Sequence, residues 1–231
     1  MSESNYVVIE GIVQNLEIFK QNVQFLNNSG QRKRTAGIVA MIQAAAGEPG
    51  AVHSAYAASD SGDPVEGFRM RLGAQAVSGN FWQTTFQDGD QVRAVGTVNG
   101  KILHAVAVVR NVDNVIWMQP HCERGSAAQK KHLFKYSLVF AVVVFLVQGL
   151  LLRNAEYPLW LLLATPSSGI ALVLAVTVGM SWNDFMFFAR EMDKVGAALG
   201  LASPVQIDLF KSTKKSQALG KACPPMGAYY L

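Results

Sequence analysis

Two long stretches without a single charged residue constrain this chain more than anything else in it. Tyr136 to Leu152 reads YSLVFAVVVFLVQGLLL, seventeen residues, or about 26 Å of helix at 1.5 Å per residue. Leu133 and Phe134, ahead of Lys135, extend its apolar character. Pro158 to Trp182 reads PLWLLLATPSSGIALVLAVTVGMSW, 25 uncharged residues, longer than a perpendicular crossing of a hydrocarbon core about 30 Å thick requires. Both runs are apolar all round, with no polar stripe of period 3.6, so neither has the pattern of a surface helix on a globular domain. A buried helix pair in a soluble core is the competing reading. A chain of 231 residues has little other material with which to wrap two such helices.

The flanks predict a transmembrane hairpin over residues 136–182. Tyr157 and Trp160 open the second run and Trp182 closes it, aromatic rings suited to the headgroup level. Arg124, Lys130, Lys131 and Lys135 precede the first run, and Arg190 and Lys194 follow the second. The linker Arg153 to Tyr157 holds one Arg beside Glu156, so the positive-inside rule places both chain ends in the cytoplasm. Five linker residues also make the helices antiparallel neighbours. Pro166 predicts a kink, and Gln148, Thr165, Ser167 and Ser168 are candidate polar contacts between helices, within the hairpin or between several copies of it.

The formal net charge of +4 is concentrated around these runs. Residues 1–120 hold nine Lys/Arg against ten Asp/Glu, so the first domain is close to neutral, which argues against nucleic acid as its partner. The N-terminal MSESNYVVIE lacks a basic segment, an apolar segment and a cleavage site, and predicts a domain that stays in the cytosol. Cys122 and Cys223 stand singly and far apart, with no metal-ligand spacing, and are expected as free thiols.

Residues 1–120 carry strand signals. Val7 to Phe19 is rich in β-branched and aromatic residues, with Gly11 as the expected bulge. Gly37 to Gln43 and Val65 to Leu72 are further candidates, and the small, polar segment Gly47 to Pro64 predicts a mobile loop. Asp90 to Val98 and Lys101 to Arg110, joined by Asn99-Gly100, predict a hairpin with a type I′ turn. Asp88-Gly89 makes a turn before it, and Val115 to Met118 a short strand after it. Five or six strands in so short a span suit a small barrel of OB type. Residues 121–135 form a basic segment next to the membrane. In residues 183–210, the steps of three and four from Phe185 through Phe188, Met192 and Val195 to Leu199 predict an amphipathic helix. The low positive charge of its polar face favours docking on the first domain over the bilayer surface. Residues 211–231, with KSTKK and Cys-Pro-Pro, are expected to be mobile.

Catalytic chemistry has little to stand on. Asp60, Asp63 and Glu66 lack the alternating ligands of a calcium loop. His121 beside Cys122 has the residue types of a base and a nucleophile, but neighbours in an extended chain point apart and no orienting carboxylate is identifiable. His53, His104 and His132 share no ligand spacing. Gln31 to Arg34 (QRKR) with Phe25, Phe81 and Trp82 would suit a groove for single strands, against which the neutral charge counts. No cofactor motif is present: there is no phosphate-cradling glycine loop, no GxSxG and no HExxH.

Gly89 to Asn111 (GDQVRAVGTVNGKILHAVAVVRN), Val115 to Gly125 (VIWMQPHCERG), the apolar hairpin after them and Gly11 to Phe19 (GIVQNLEIF) together cover about half the chain. In combination they resemble a family of bacterial proteins described as type VI secretion system effectors. The resemblance implies a protein of contact-dependent toxin delivery that acts at an inner membrane, and it assigns no functional residue. The alternative is a resident inner-membrane scaffold, or an immunity-type protein, whose barrel binds a protein partner. The expected partners are the lipid bilayer and a protein, and an enzyme is the weakest reading.

Overall fold

A computed structural model describes residues 6–25, 63–152, 182 and 185–231, without the side chains of Gln148, Gly149, Leu151 and Leu152. The chain divides into two compact units, one of residues 1–25, 61–129 and 186–231, the other of residues 26–60 and 130–185.

The first unit is built on a five-stranded mixed β-barrel. Its strands are β1 (Val7–Val23), β2 (Asp63–Leu72), β3 (Gln75–Phe81), β4 (Gln91–Asn99) and β5 (Ile102–Arg110). The sheet runs β3-β2-β1-β4-β5, and a parallel pairing of Ala76–Gly79 with Ile102–Ala105 closes it. Closure removes the free edges that would otherwise template pairing with another chain. β1 is long enough to serve two partners: Val7–Ile12 pair with β4, and Val13–Val23 with β2. The bend between the two uses is a register shift between Gln14 and Glu17, where Asn15 takes φ 53°. The bulge expected at Gly11 is therefore at Asn15, because asparagine tolerates the left-handed region. Gly11 pairs regularly with Val92.

Two tight hairpins share one chemistry. Leu72 pairs with Gln75 and Asn99 with Ile102, leaving Gly73-Ala74 and Gly100-Lys101 as two-residue loops. Each opens on a glycine of positive φ, 60° at Gly73 and 61° at Gly100. Only the first central residue is left-handed, which fits a type II′ turn and corrects the type I′ reading by one residue. The barrel interior is filled by Val13, Phe68, Met70, Val77, Phe81, Phe86, Val92 and Leu103, with Trp117 and Tyr230 continuing the core under the next two strands.

Those strands are β6 (Val115–Met118), on β5, and β7 (Ala228–Tyr230), on β6. All four residues of β6 are buried, so both faces of the sheet are covered there. The helix over residues 185–198 (α2) buries Phe188, Met192 and Val195, the face its periodicity predicts, within this unit. The helix Leu209–Ala218 (α3) is capped by Asp208, whose carboxylate accepts from the Lys211 N–H. α3 packs on β7, with Phe210 and Tyr229 ring centroids 5.2 Å apart. Residues 211–231, expected to be mobile, thus contain most of α3 and all of β7. The first domain does not end at residue 120 but is completed by residues from the far side of the apolar segment.

A third helix, α1 (Ser126–Leu152), contains the whole first apolar run. In the second unit Lys130 Nζ lies 6.0 Å from the centroid of Trp182. Among the described residues no helix is long and apolar enough to cross a membrane. The uncharged part of α1 is seventeen residues. Apart from Trp182, the second run lies outside the described residues, as do the candidate strand Gly37 to Gln43 and nearly all of the loop Gly47 to Pro64.

Candidate functional site: a polar cleft on the barrel wall

Strand register assembles the most developed site of the first unit. Cross-strand partners lie side by side on one face of a sheet. Glu17 on β1, Arg69 on β2, Ser78 on β3, His104 on β5 and Thr97 on β4 therefore form one row around the outside of the barrel. Their strand neighbours Phe68, Val77 and Leu103 point inward and are buried. Ser78 Oγ lies 3.4 Å from His104 Nδ1.

Two residues along the strands, on the same face, Phe19 pairs with Gly67. Its ring takes the space of an absent side chain: a Cβ on Gly67 would come within 2.5 Å of Phe19 Cε2. The Arg69 guanidinium sits over this ring, 5.5 Å from its centroid, a cation–π arrangement that holds both groups in place. Nearby, the Gln21 amide donates to Asn80 Oδ1. α2 forms the facing wall. Glu191 accepts hydrogen bonds from the Tyr6 hydroxyl and, at 2.7 Å, from Lys194 Nζ, which also lies 5.6 Å from the Tyr6 ring centroid. The cleft between wall and helix has a volume of about 1180 Å³. Lys194 and Glu191 neutralise one another, whereas Arg69 makes no ion pair among the described residues.

A second cluster surrounds His121, which follows β6 in a left-handed conformation with φ 70°. Its Nε2 is 3.2 Å from Asp63 Oδ2, and its backbone N–H donates to Glu123 Oε1 at 3.2 Å. Trp82 and Phe188 pack on the imidazole with centroids 5.6 and 5.4 Å away, and Phe25 lies at 6.5 Å. Burial pulls the imidazole pKa down. The hydrogen bond to Asp63 and the charges of Glu123 and Asp63 more than offset it, so the net shift is upward. Asp63 is the orienting carboxylate that the sequence did not reveal. Cys122, by contrast, is fully buried, and burial, with the Glu123 charge adding, pushes its thiol well up, away from the reactive thiolate. The pair is a tether between the loop after β6 and the start of β2.

The other sequence candidates are dispersed. Asp63 is engaged with His121, and Glu66 Oε2 accepts from the Thr84 N–H at 2.7 Å. Among the described residues no three His, Cys, Asp or Glu gather to hold a metal. Phe81 is wholly buried, and Phe25 and Trp82 flank His121, so among the described residues these three aromatics do not line one common exposed face. His104 joins the cleft, and His132 packs on Tyr136 within α1. Both Cys122 and Cys223 are free thiols. Arg124, read as part of the basic flank, is instead buried, with Nε 3.5 Å from Asp208 Oδ2 and its guanidinium 4.5 Å from the Phe210 centroid. Gln148 lies in α1 without a described side chain, and Thr165, Pro166, Ser167, Ser168, Asp60, His53 and the QRKR run lie outside the described residues. Sequence reasoning missed Arg69 and Phe19 as a site. Alternation in FRMRL turns Arg69 outward, but only the register of β1 on β2 brings Phe19 to it.

Compared with family models, with curated proteins and with solved structures, the chain matches none.

Proposed function

We propose that this chain is a non-enzymatic inner-membrane protein whose segment 136–182 enters the bilayer as a hairpin and whose barrel, in the cytosol, binds a protein partner. The observation that carries this reading is the exposure of α1. Leu138 is 54 % exposed, Leu146 59 % and Leu150 69 %, and Val139, Phe140, Val142, Val143, Phe145 and Val147 are exposed with them. An apolar side chain left in water forgoes up to about 1.5–3 kcal/mol of burial, and here the exposed positions take up most of the circumference of the helix, leaving only the face of Ser137, Ala141 and Val144 covered. Lipid is the solvent that suits such a surface. The uncharged part of α1, about 26 Å, is a few ångströms short of a hydrocarbon core, a mismatch that snorkelling of Lys135 and local thinning accommodate.

Two further observations support a hairpin. The 6.0 Å approach of Lys130 to Trp182 brings the start of α1 beside the end of the second run. The barrel unit contains strands from both sides of the apolar segment, since β7 pairs with β6. Both ends of the segment must then lie on one side of any membrane it enters, so its crossings are even in number. This parity is independent of the basic flanks and agrees with them.

We read the barrel as one of the OB kind: its order β3-β2-β1-β4-β5 with a parallel β3–β5 closure is compatible with the five-stranded Greek-key barrel that presents an outer face to ligands. Binding is favoured over chemistry because the buried Cys122 offers no thiolate beside His121. The resemblance of Gly89 to Gly125 and the apolar run after it supports a role in type VI secretion, as an effector acting at the membrane. The cleft favours the second reading, a resident scaffold or immunity-type protein that holds a partner. Neighbouring genes for secretion spikes or their chaperones distinguish the two.

The test is fractionation and topology in bacteria. The full chain should remain with membranes after alkaline carbonate. With Cys223→Ser as background and Cys122 buried, a cysteine at Ala155 should react from the periplasm, and cysteines at the exposed Ala127 and Ala218 only from the cytosol. Release by carbonate, or labelling of Ala155 from the cytosol alone, rejects the reading.

A further inference from the structure

We propose that the cleft between the barrel wall and α2 is the partner-binding site, and that it takes an extended acidic peptide segment whose carboxylate pairs with Arg69. The inference rests on the reading of the barrel as a protein-binding module and adds the chemistry of what it binds.

Charge comes first. Of the ionic groups that line the cleft, Glu191 and Lys194 cancel at 2.7 Å, and the Tyr6 hydroxyl completes the carboxylate's hydrogen bonding. Arg69 is left as the cleft's one cation outside an ion pair among the described residues, although Glu17 is its cross-strand neighbour at the end of the row, and it is pre-positioned: the Phe19 ring beneath it is seated in the notch at Gly67. A guanidinium already fixed by stacking loses less freedom when it takes a carboxylate in its planar fork.

Shape and hydrogen bonding favour a peptide. Arg69, Ser78, His104 and Thr97 stand in one row on successive strands. At about 4.8 Å between strands the row spans about 14 Å, the length of roughly four extended residues. β3 and β5 are paired with each other along this row, so their backbone cannot add another strand, and recognition falls to the side chains. The volume of about 1180 Å³ lies above the usual range of small-molecule pockets. A nucleotide or single-stranded nucleic acid fits less well. Phe19 already carries Arg69 on its face and presses its edge against Gly67, and residues 1–120 hold nine basic against ten acidic side chains.

The experiment pans a displayed library of random octapeptides on the full chain in lipid nanodiscs, alongside Arg69→Gln, whose side chain is exposed and whose folding is checked by Tm. Selected peptides should be enriched in Asp and Glu, and the enrichment should vanish on Arg69→Gln. In fluorescence anisotropy a selected peptide should bind about tenfold more weakly to the variant, the loss expected of one charged hydrogen-bonded pair. Ser78→Glu, which adds a negative charge to the row, should weaken it as well. Peptides without acidic enrichment, equal binding by wild type and Arg69→Gln, or displacement of the peptide by ATP or oligo-dT would each overturn the assignment. A chain that stays in membranes yet selects no acidic peptide refutes this inference alone. A chain released by carbonate refutes the membrane reading without touching it.

Discussion

His121 Nε2 and Asp63 Oδ2 lie 3.2 Å apart, joining residues 58 positions distant in sequence at a point where Asp63 is buried and His121 half-buried. The pair is spent on fixing the loop after β6 against the first residue of β2. Its protonation gives the fold a pH dependence.

The folded state raises the His121 pKa, so it binds that proton more tightly than the unfolded chain does. The resulting stability is fully present below the unfolded value, about 6.5, and is lost as pH rises through the folded value. The Tm advantage of the wild type over Asp63→Asn should therefore shrink between pH 6 and pH 9. A constant difference across that range would show that the pair carries no proton of its own.

Gly96 faces the backbone of β5 so closely that a methyl group there would collide with the His104 carbonyl. Gly96→Ala should cost about 1–3 kcal/mol or more, because backbone rather than a side chain must yield. Gly100 has open space around it and φ 61°, so Gly100→Val should cost only the strain of a left-handed β-branched residue, about 1–2 kcal/mol. Denaturation midpoints in the order wild type, Gly100→Val, Gly96→Ala are expected. Coincident midpoints for wild type and Gly100→Val would exclude the turn described for that loop.

Tyr230 belongs to the barrel core although it is the penultimate residue. It is 8 % exposed, and its N–H donates to Thr213 Oγ1 at 3.0 Å. Tyr230→Ala should destabilise the first unit by about 3 kcal/mol, read from the urea midpoint of tryptophan fluorescence, since Trp117 is packed in the same core. An unshifted midpoint would mean that β7 frays from β6 in solution.

Any effect on membrane potential should come from the apolar segment and depend on its polar side chains. Strong expression of the full chain should lower dye-reported potential, and Gln148→Leu should weaken the effect, since an interhelical hydrogen bond contributes about 0.6 kcal/mol on average. Identical dye signals for the two would leave Gln148 without a role in helix association.

Strands with plain alternation were legible. Val115–Met118 is found as predicted, and Gln91–Asn99 with Ile102–Arg110 to within one residue, because each buries every second or every side chain. β3 was not, since QAVSGNF is mostly small and polar and becomes a strand through partners on both sides. β7 escaped for a related reason: three residues behind Cys-Pro-Pro carry no period, and only the edge of β6 makes them a strand. Of the candidate site, the residue types were visible but not their company. Phe19 meets Gly67, and Asp63 meets His121, only through long-range register, which local composition does not encode.

The pairing of β7 with β6 also sets a timetable. Val115 and Trp117 leave the ribosome about 110 residues before Ala228 and Tyr230, which at about 5–20 residues per second is a wait of roughly 5 to 20 seconds. Throughout it, β6 presents an unpaired apolar edge while the two most water-averse stretches of the chain are being made. The early barrel must be shielded from its own nascent neighbours until its last strand arrives, so depletion of co-translational chaperones or a delay in membrane targeting should be felt first as aggregation of this half-finished sheet.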